Sequence, residues 1–254
     1  MINTMRYTLF TAAILLAGIT TSVAQTADEI VQKHIEAIGG KKKWRKVNSI
    51  KTTGTFTSDG AEVLFTTIKL DNEGIYKEFT YATTKKTAYE ALTQKIGWRF
   101  IPVVGIRSRS EMFPETMVKK NQYTLDLQGP LIDYKSKGNK IEYVGKEVYK
   151  KRSADTGITC YKIRVTYNGG HSAIFYIDTV NYYHIRTTYE AIEHHQPLIV
   201  NGKRVEEQAA SYSDFKMLPE GIVVPMTFSE GIGVQKINTV EINVDVDKKI
   251  FNPK

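Results

Sequence analysis

Alternation with a period of two runs through most of this chain and constrains its fold more than any other feature. In residues 160–167, Tyr161, Ile163, Val165 and Tyr167 point one way, while Cys160, Lys162, Arg164 and Thr166 point the other. Tyr183, Ile185, Thr187 and Tyr189 alternate with His184, Arg186 and Thr188. Val240, Ile242, Val244 and Val246 alternate with Glu241, Asn243, Asp245 and Asp247. Successive side chains on extended backbone leave opposite faces, so each run predicts a strand with one wet and one buried face. Turn chemistry separates the runs: Asp59-Gly60, Asp71-Asn72-Glu73-Gly74, Asn168-Gly169-Gly170, Asn201-Gly202, Pro219-Glu220-Gly221 and Gly231-Ile232-Gly233. Asx-Gly pairs tolerate the positive φ that tight hairpins require. The pattern predicts an antiparallel meander of about ten or eleven strands.

One segment breaks the period cleanly. Thr26 with Glu29 three residues on forms a capping box, in which each side chain satisfies a backbone donor at the other's position. Ile30, Val31, His34, Ile35 and Ile38 share one face at helical spacing, and Gly39-Gly40 supplies the stop. The residues that follow, 41–46, are a charged continuation in which Trp44 packs. Residues 107–126 are a second interruption. The spacing predicts a short helix capped by Ser110, with Met112, Phe113, Met117 and Val118 on one side and Pro114 in the first turn. So many one-faced strands leave more apolar sheet than two helical pieces cover if the sheet lies flat. The expectation is therefore a mainly β fold, a half-open antiparallel β-barrel with an N-terminal helix and a short helical lid.

The N-terminus predicts export. Arg6 precedes an uncharged apolar run over 7–18, and Ser22-Val23-Ala24 places small side chains one and three residues before a cut. Cleavage is expected between Ala24 and Gln25, giving a signal peptide over 1–24 and a single domain over 25–254. The apolar run is shorter than the roughly 20 residues that span a bilayer, and no cysteine follows it to carry a lipid. The expected destination is the cell envelope. Cys160 is the only cysteine, so no intramolecular disulfide is available. The formal charge of +8 falls to +7 once Arg6 departs with the signal. An exported protein meets little nucleic acid, so the basic surface points to transient contact with anionic head groups, or to plain solvation.

Motifs of catalysis are missing. The chain has no His-Glu-x-x-His, no Gly-x-Ser-x-Gly and no Gly-x-x-x-x-Gly-Lys-Ser/Thr, so no enzyme class or cofactor is expected. Glu193-His194-His195 is the one metal-like pair, yet adjacent residues on a strand face opposite ways. His34 reads as a core residue with satisfied nitrogens, and Cys160 as a residue on the polar face of its strand. Apolar, pliable side chains are the better binding candidates. Trp98 and Phe100 end a strand, Met112, Phe113 and Met117 lie in the insert, and Ile222, Val224, Met226 and Phe228 share one face of a late strand. As cavity lining they suit a flexible apolar guest; as ordinary core they bind nothing.

Several stretches carry a resemblance to a known family. They are Ala27-Asp28-Glu29-Ile30-Val31 with Ile35-Glu36-Ala37-Ile38-Gly39-Gly40; Gly97-Trp98 with Pro102; residues 125–134; Tyr176-Ile177-Asp178; and Tyr212-Ser213-Asp214-Phe215-Lys216 with Gly221 and Pro225. In their order and spacing they resemble the outer-membrane lipoprotein-sorting proteins of the LolA-like superfamily. The resemblance implies a half-open barrel lidded by helices, whose apolar cavity shelters lipid or the acyl chains of a lipoprotein in the periplasm of a Gram-negative envelope. Such a fold does not determine its cargo, and an envelope sensor or interaction module with a packed interior is the alternative.

Overall fold

The capping box forms as expected. In the computed structural model, which describes residues 26–58, 60–102, 109–151, 154–189, 198–200, 203–205, 208–230 and 233–254, Thr26 Oγ1 accepts from Glu29 N and Glu29 Oε2 accepts from Thr26 N. Helix α1 (Ala27–Ala37) buries Ile30, Val31, His34 and Ile35. Gly39, at φ 109°, ends it, and α2 (Lys41–Trp44) follows with Trp44 buried and its indole N–H on Ile38 O.

Five strands, β1 (Ser49–Ser58), β2 (Ala61–Leu70), β3 (Gly74–Tyr81), β4 (Thr87–Thr93) and β5 (Gly97–Phe100), run as a meander, and β6 (Glu111–Met112) adds a short edge. After the insert come β7 (Lys140–Tyr149), β8 (Ile158–Thr166), β9 (Ser172–Asp178) and β10 (His184–Tyr189). A separate ribbon pairs β11 (Leu198–Val200) with β12 (Lys203–Val205). The chain returns through β13 (Gln208–Met217), β14 (Val223–Glu230) and β15 (Val234–Ile242). Among the described residues thirteen strands join one antiparallel sheet in the order β6-β5-β4-β3-β2-β1-β15-β14-β13-β10-β9-β8-β7. The count exceeds the expected ten or eleven because β5, β6, β11 and β12 are only two to four residues long, too short to show periodicity. The sheet does not close. Its edges are β6 and β7, and the fold is a half-open barrel with a short helical lid.

Cross-strand partners share a face, so the register traces the inner face across the sheet. On β8 and β9 that face holds Ile163, Val165, Ala173, Phe175 and Ile177, and α1 packs against it together with Leu131, Ile132 and Ile222. In the middle strands of the sheet a second inner cluster holds Phe56, Val63 and Phe65, with Phe79, Tyr81 and Ile237 half-buried beside it. The outer face is covered too. The C-terminal residues Val246, Ile250 and Phe251 lie over Tyr76, Ala91 and Trp98, and the Trp98 indole donates to Phe251 O at 2.7 Å.

Four local expectations need correction. The alternation expected through Tyr189 breaks at a bulge between His184 and Arg186, which puts His184 on the same face as Thr187. Val246 does not continue the face of Val240 and Ile242, because Asn243 adopts φ 57° and β15 ends at Ile242. Cys160 is buried, not on a wet face, because Ile174, Tyr176 and Ile185 pack around it on the outer side. The insert helix, α3 (Glu115–Asn121), begins after Pro114, and a 3-10 turn follows at Gln122–Leu125. A residue before proline is driven out of the helical region, so Phe113 stays extended and Met112 joins β6. Ser110 therefore caps nothing; its hydroxyl donates to Lys254 O.

Candidate ligand cavity

The chain between the two sheet edges crosses the open side of the barrel. It carries α3, the 3-10 turn and residues 126–139, and it is tied down at both ends. Toward the N-terminal half, Leu125 O accepts from Asn72 N at 3.0 Å, and Leu127 N donates to Asp71 Oδ1 at 3.1 Å. Gln122 Nε2 donates to Gln94 O, and Gln94 Nε2 to Asn72 O. Toward the helices, Asp133 accepts from Arg45 Nε and Nη2, at 2.7 and 2.9 Å, and pairs with Lys41, and Tyr134 donates to Asp28. Arg45 foremost holds the Asp133 carboxyl below the ordinary carboxylate range. Leu131 and Ile132 anchor the same stretch in the core beneath α1.

Under this lid lies a cavity of about 840 Å³, between the β2–β3 and β4–β5 turns on one side and the β8–β9 turn on the other. Three rings form part of its wall. His171 stacks on Tyr167 with centroids 4.2 Å apart, Tyr123 lies 4.4 Å from His171, and Tyr123 and Tyr167 are 4.9 Å apart. The His171 Nε2 is buried without a hydrogen-bond partner. Lys137 donates to both Asp126 oxygens and to Gly129 O. Even so, burial outweighs that pairing and raises the Asp126 pKa.

The inner face next to the cavity disfavours charge of either sign. Burial raises the pKa of Tyr167 and Tyr189 and pushes the Tyr212 hydroxyl up to about 12. It lowers the Lys69 ammonium, which Lys77 lowers further. A field that works against carboxylate, phenolate and ammonium alike belongs to a poorly solvated interior.

The apolar residues singled out by sequence divide between the two faces. Ile222, Val224, Met226 and Phe228 are on the inner face, Phe228 beside Tyr212 with ring centroids 5.5 Å apart. Phe113 is inner as well, because its ring fills the space that a Cβ at Gly97 would need. Met117 is exposed on α3. Trp98 is fully buried on the outer face with Met112 opposite it, and Phe100 packs in the same outer cluster. None of the nine is among the residues that line the cavity of about 840 Å³. Tyr123, Tyr167, Tyr189 and Tyr212 were not singled out by sequence. The alternating tyrosines of β8 and β10 marked a buried face but not which face encloses space. Glu193-His194-His195 lie outside the described residues, and among the described residues no group of three metal-ligating side chains gathers. His34 is buried, with Nδ1 2.8 Å from Tyr182 O.

A half-open antiparallel barrel with an inner helix and a lid across its mouth defines a LolA-like fold. A LolA superfamily protein from Nitrosomonas europaea superposes over 90% of this chain and 98% of its own, with a TM-score of 0.53 at 12% identity. A domain of an outer-membrane lipoprotein-sorting protein from Vibrio parahaemolyticus aligns over 89% of this chain and 96% of its own, with a TM-score of 0.48 at 10% identity. No protein-family model matches the chain, and no curated protein matches it. The likeness is therefore one of fold. Among the described residues no helix is long and apolar enough to cross a membrane.

Proposed function

We propose that this chain is a non-catalytic binding protein that shelters the acyl chain of a lipid or an acylated lipoprotein inside its half-open barrel. The observation that carries the reading is the inner face, where Met226 and Phe228 stay half-buried and Phe228 lies beside Tyr212, whose ionised form burial disfavours. An acyl chain completes the burial of such a face and brings no charge into it. The likeness to a LolA superfamily fold supports the same reading. A cavity of about 840 Å³ between the lid and the strand turns leaves room at the mouth of the barrel for an acyl chain to enter.

The reading includes export to the periplasm, cleavage between Ala24 and Gln25, and one domain over 25–254. Intact mass of the envelope-purified protein tests the address, with a mature start at Gln25 as the expected result. Mass spectrometry of lipid extracted from the same sample tests the function. Stoichiometric acyl lipid supports a carrier, and its absence from natively purified protein counts against one.

A further inference from the structure

We propose that Lys69 receives the head of the acyl ligand and that this head carries a single negative charge, an assignment that rests on the carrier reading and names the ligand class within it. Val63, Phe65 and Lys69 share one parity on β2, so Lys69 faces inward with the two residues of the inner cluster. Its cross-strand neighbours are Ile50 and Ile75, and Ile242 follows Ile50 in the same row. A half-buried lysine thus stands in a row of isoleucines. Among the described residues it makes no hydrogen bond and no ion pair.

The charges around it are already matched to one another. Lys77 Nζ donates to Glu90 Oε1 at 3.0 Å, and Asp126 accepts from Lys137 on both carboxylate oxygens, at 2.8 and 2.7 Å. Lys69 is left as a positive charge without a counter-ion. Burial foremost, then repulsion from Lys77, lowers its pKa, and the attraction of Asp126 offsets this only in part. An isolated charge in such surroundings is unfavourable, and an opposite charge brought beside it relieves the cost. Because the desolvation of Lys69 is incurred on folding, an incoming anion bears only its own.

The inner face beyond Lys69 suits the chain that follows such a head. Helix α1 covers the inner side of β8 and β9, whereas on β2 and β3 Lys69, Lys77, Phe79 and Tyr81 all stay half-buried. Four residues back along β2, about 13 Å away, Phe65 begins the inner cluster that Phe79 and Ile237 flank. Thr55 is aligned through Lys236 with Thr227, which sets Phe56 of that cluster level with Phe228. A chain leaving Lys69 along β2 therefore arrives at the apolar region that contains Phe228. A neutral head would leave Lys69 unpaired, and a cationic one would be repelled by it and by Lys77. The carboxylate of a fatty acid and the phosphodiester of a phospholipid share the required chemistry.

The test titrates the mature protein calorimetrically with probes of equal chain length, each below its micellar concentration: dodecanoate, dodecanoyl lysophosphatidylglycerol, monododecanoyl glycerol and dodecyltrimethylammonium. At least one of the two anions should bind at least about ten-fold more tightly than the neutral glyceride, with the cation weakest. The tighter anion tells a fatty acid from a phospholipid, and either order supports the proposal. Lys69→Met, which keeps the length of the side chain, should bring the anions down to the level of the glyceride and leave the glyceride unchanged; Lys69→Gln replaces it if the methionine variant does not fold. Equal affinity for anions and glyceride, a preference for the cation, or an anion preference that persists in a folded Lys69 variant overturns the head-group assignment and leaves the carrier reading standing. Binding of none of the probes overturns both.

Discussion

His184 lies flat against Phe175, with ring centroids 4.2 Å apart and planes within 2° of parallel. Its Nε2–H donates to Arg186 O at 2.8 Å, and His34 meets it edge-on at 6.4 Å. Burial pushes both imidazoles below their ordinary pKa, His184 to about 3. The unfolded chain therefore binds protons below pH 6.5 that the folded chain refuses. Stability is complete above that pH and is lost as pH falls toward the folded value. Between pH 7 and 5 the loss from His184 alone is about 2 kcal/mol, and His34 adds in the same direction. Urea midpoints across this range should fall with pH, and His184→Phe should flatten the slope. A midpoint indifferent to pH contradicts the buried neutral pair.

Gly74 and Phe251 should prove energetically coupled. A Cβ at Gly74 would lie 2.7 Å from the Phe251 ring, so the strand accepts the C-terminal cover only because no side chain stands there. Phe251→Ala should cost about 3 kcal/mol through the cavity it leaves. Gly74→Ala should cost about 2 kcal/mol by overpacking, and much less in the Phe251→Ala background. Additive effects in denaturant unfolding would contradict the contact.

The two glycines that stop α1 should differ in their tolerance of alanine. Both have positive φ, 109° at Gly39 and 87° at Gly40, so each substitution strains the backbone by about 1–3 kcal/mol. At Gly39 the new methyl would also lie 2.3 Å from Gly221 O and 2.8 Å from Ile222 Cα, while at Gly40 nothing lies within 4 Å. Gly39→Ala should therefore lower the thermal midpoint clearly more than Gly40→Ala, because backbone cannot yield as a side chain does.

Cys160 should be inert in the folded protein. Burial foremost, with Asp178 and Glu147 adding to it, pushes its thiol up to about 11, and the Sγ–H donates to Ile158 O. At pH 8 the thiolate fraction is about 100-fold below that of a free cysteine, before access is considered. Labelling by a thiol reagent should proceed at a normal rate in urea and be negligible without it. Rapid labelling of the native protein would contradict the packing around this residue.

Much of the architecture was legible locally, and the failures have one cause. Thr26 with Glu29, Gly39-Gly40 and the alternation of Tyr161, Ile163, Val165 and Tyr167 depend on neighbours within a few residues, and the structure holds each as expected. Parity between distant strands is set by register. Trp98 and Phe228 look alike in sequence yet face opposite ways, because no local signal relates β5 to β14. Bulges erase parity as well. The irregularity before Arg186 turned His184 inward, and an unremarkable isoleucine at position 185 gave no sign of it. The tyrosines beside the cavity were visible as a periodic stripe, but a stripe states burial without distinguishing packed core from enclosed space.

The central claim is that the inner face of the barrel holds an acyl chain. It is tested most directly by titrating the mature protein with a fluorescent fatty acid, in parallel with Phe228→Asp, a substitution at a half-buried position beside Tyr212. Saturable binding by the unaltered protein, weakened at least about ten-fold in a variant with the same circular dichroism spectrum, is the predicted result. No saturable binding, or equal binding by a well-folded Phe228→Asp variant, would contradict the account.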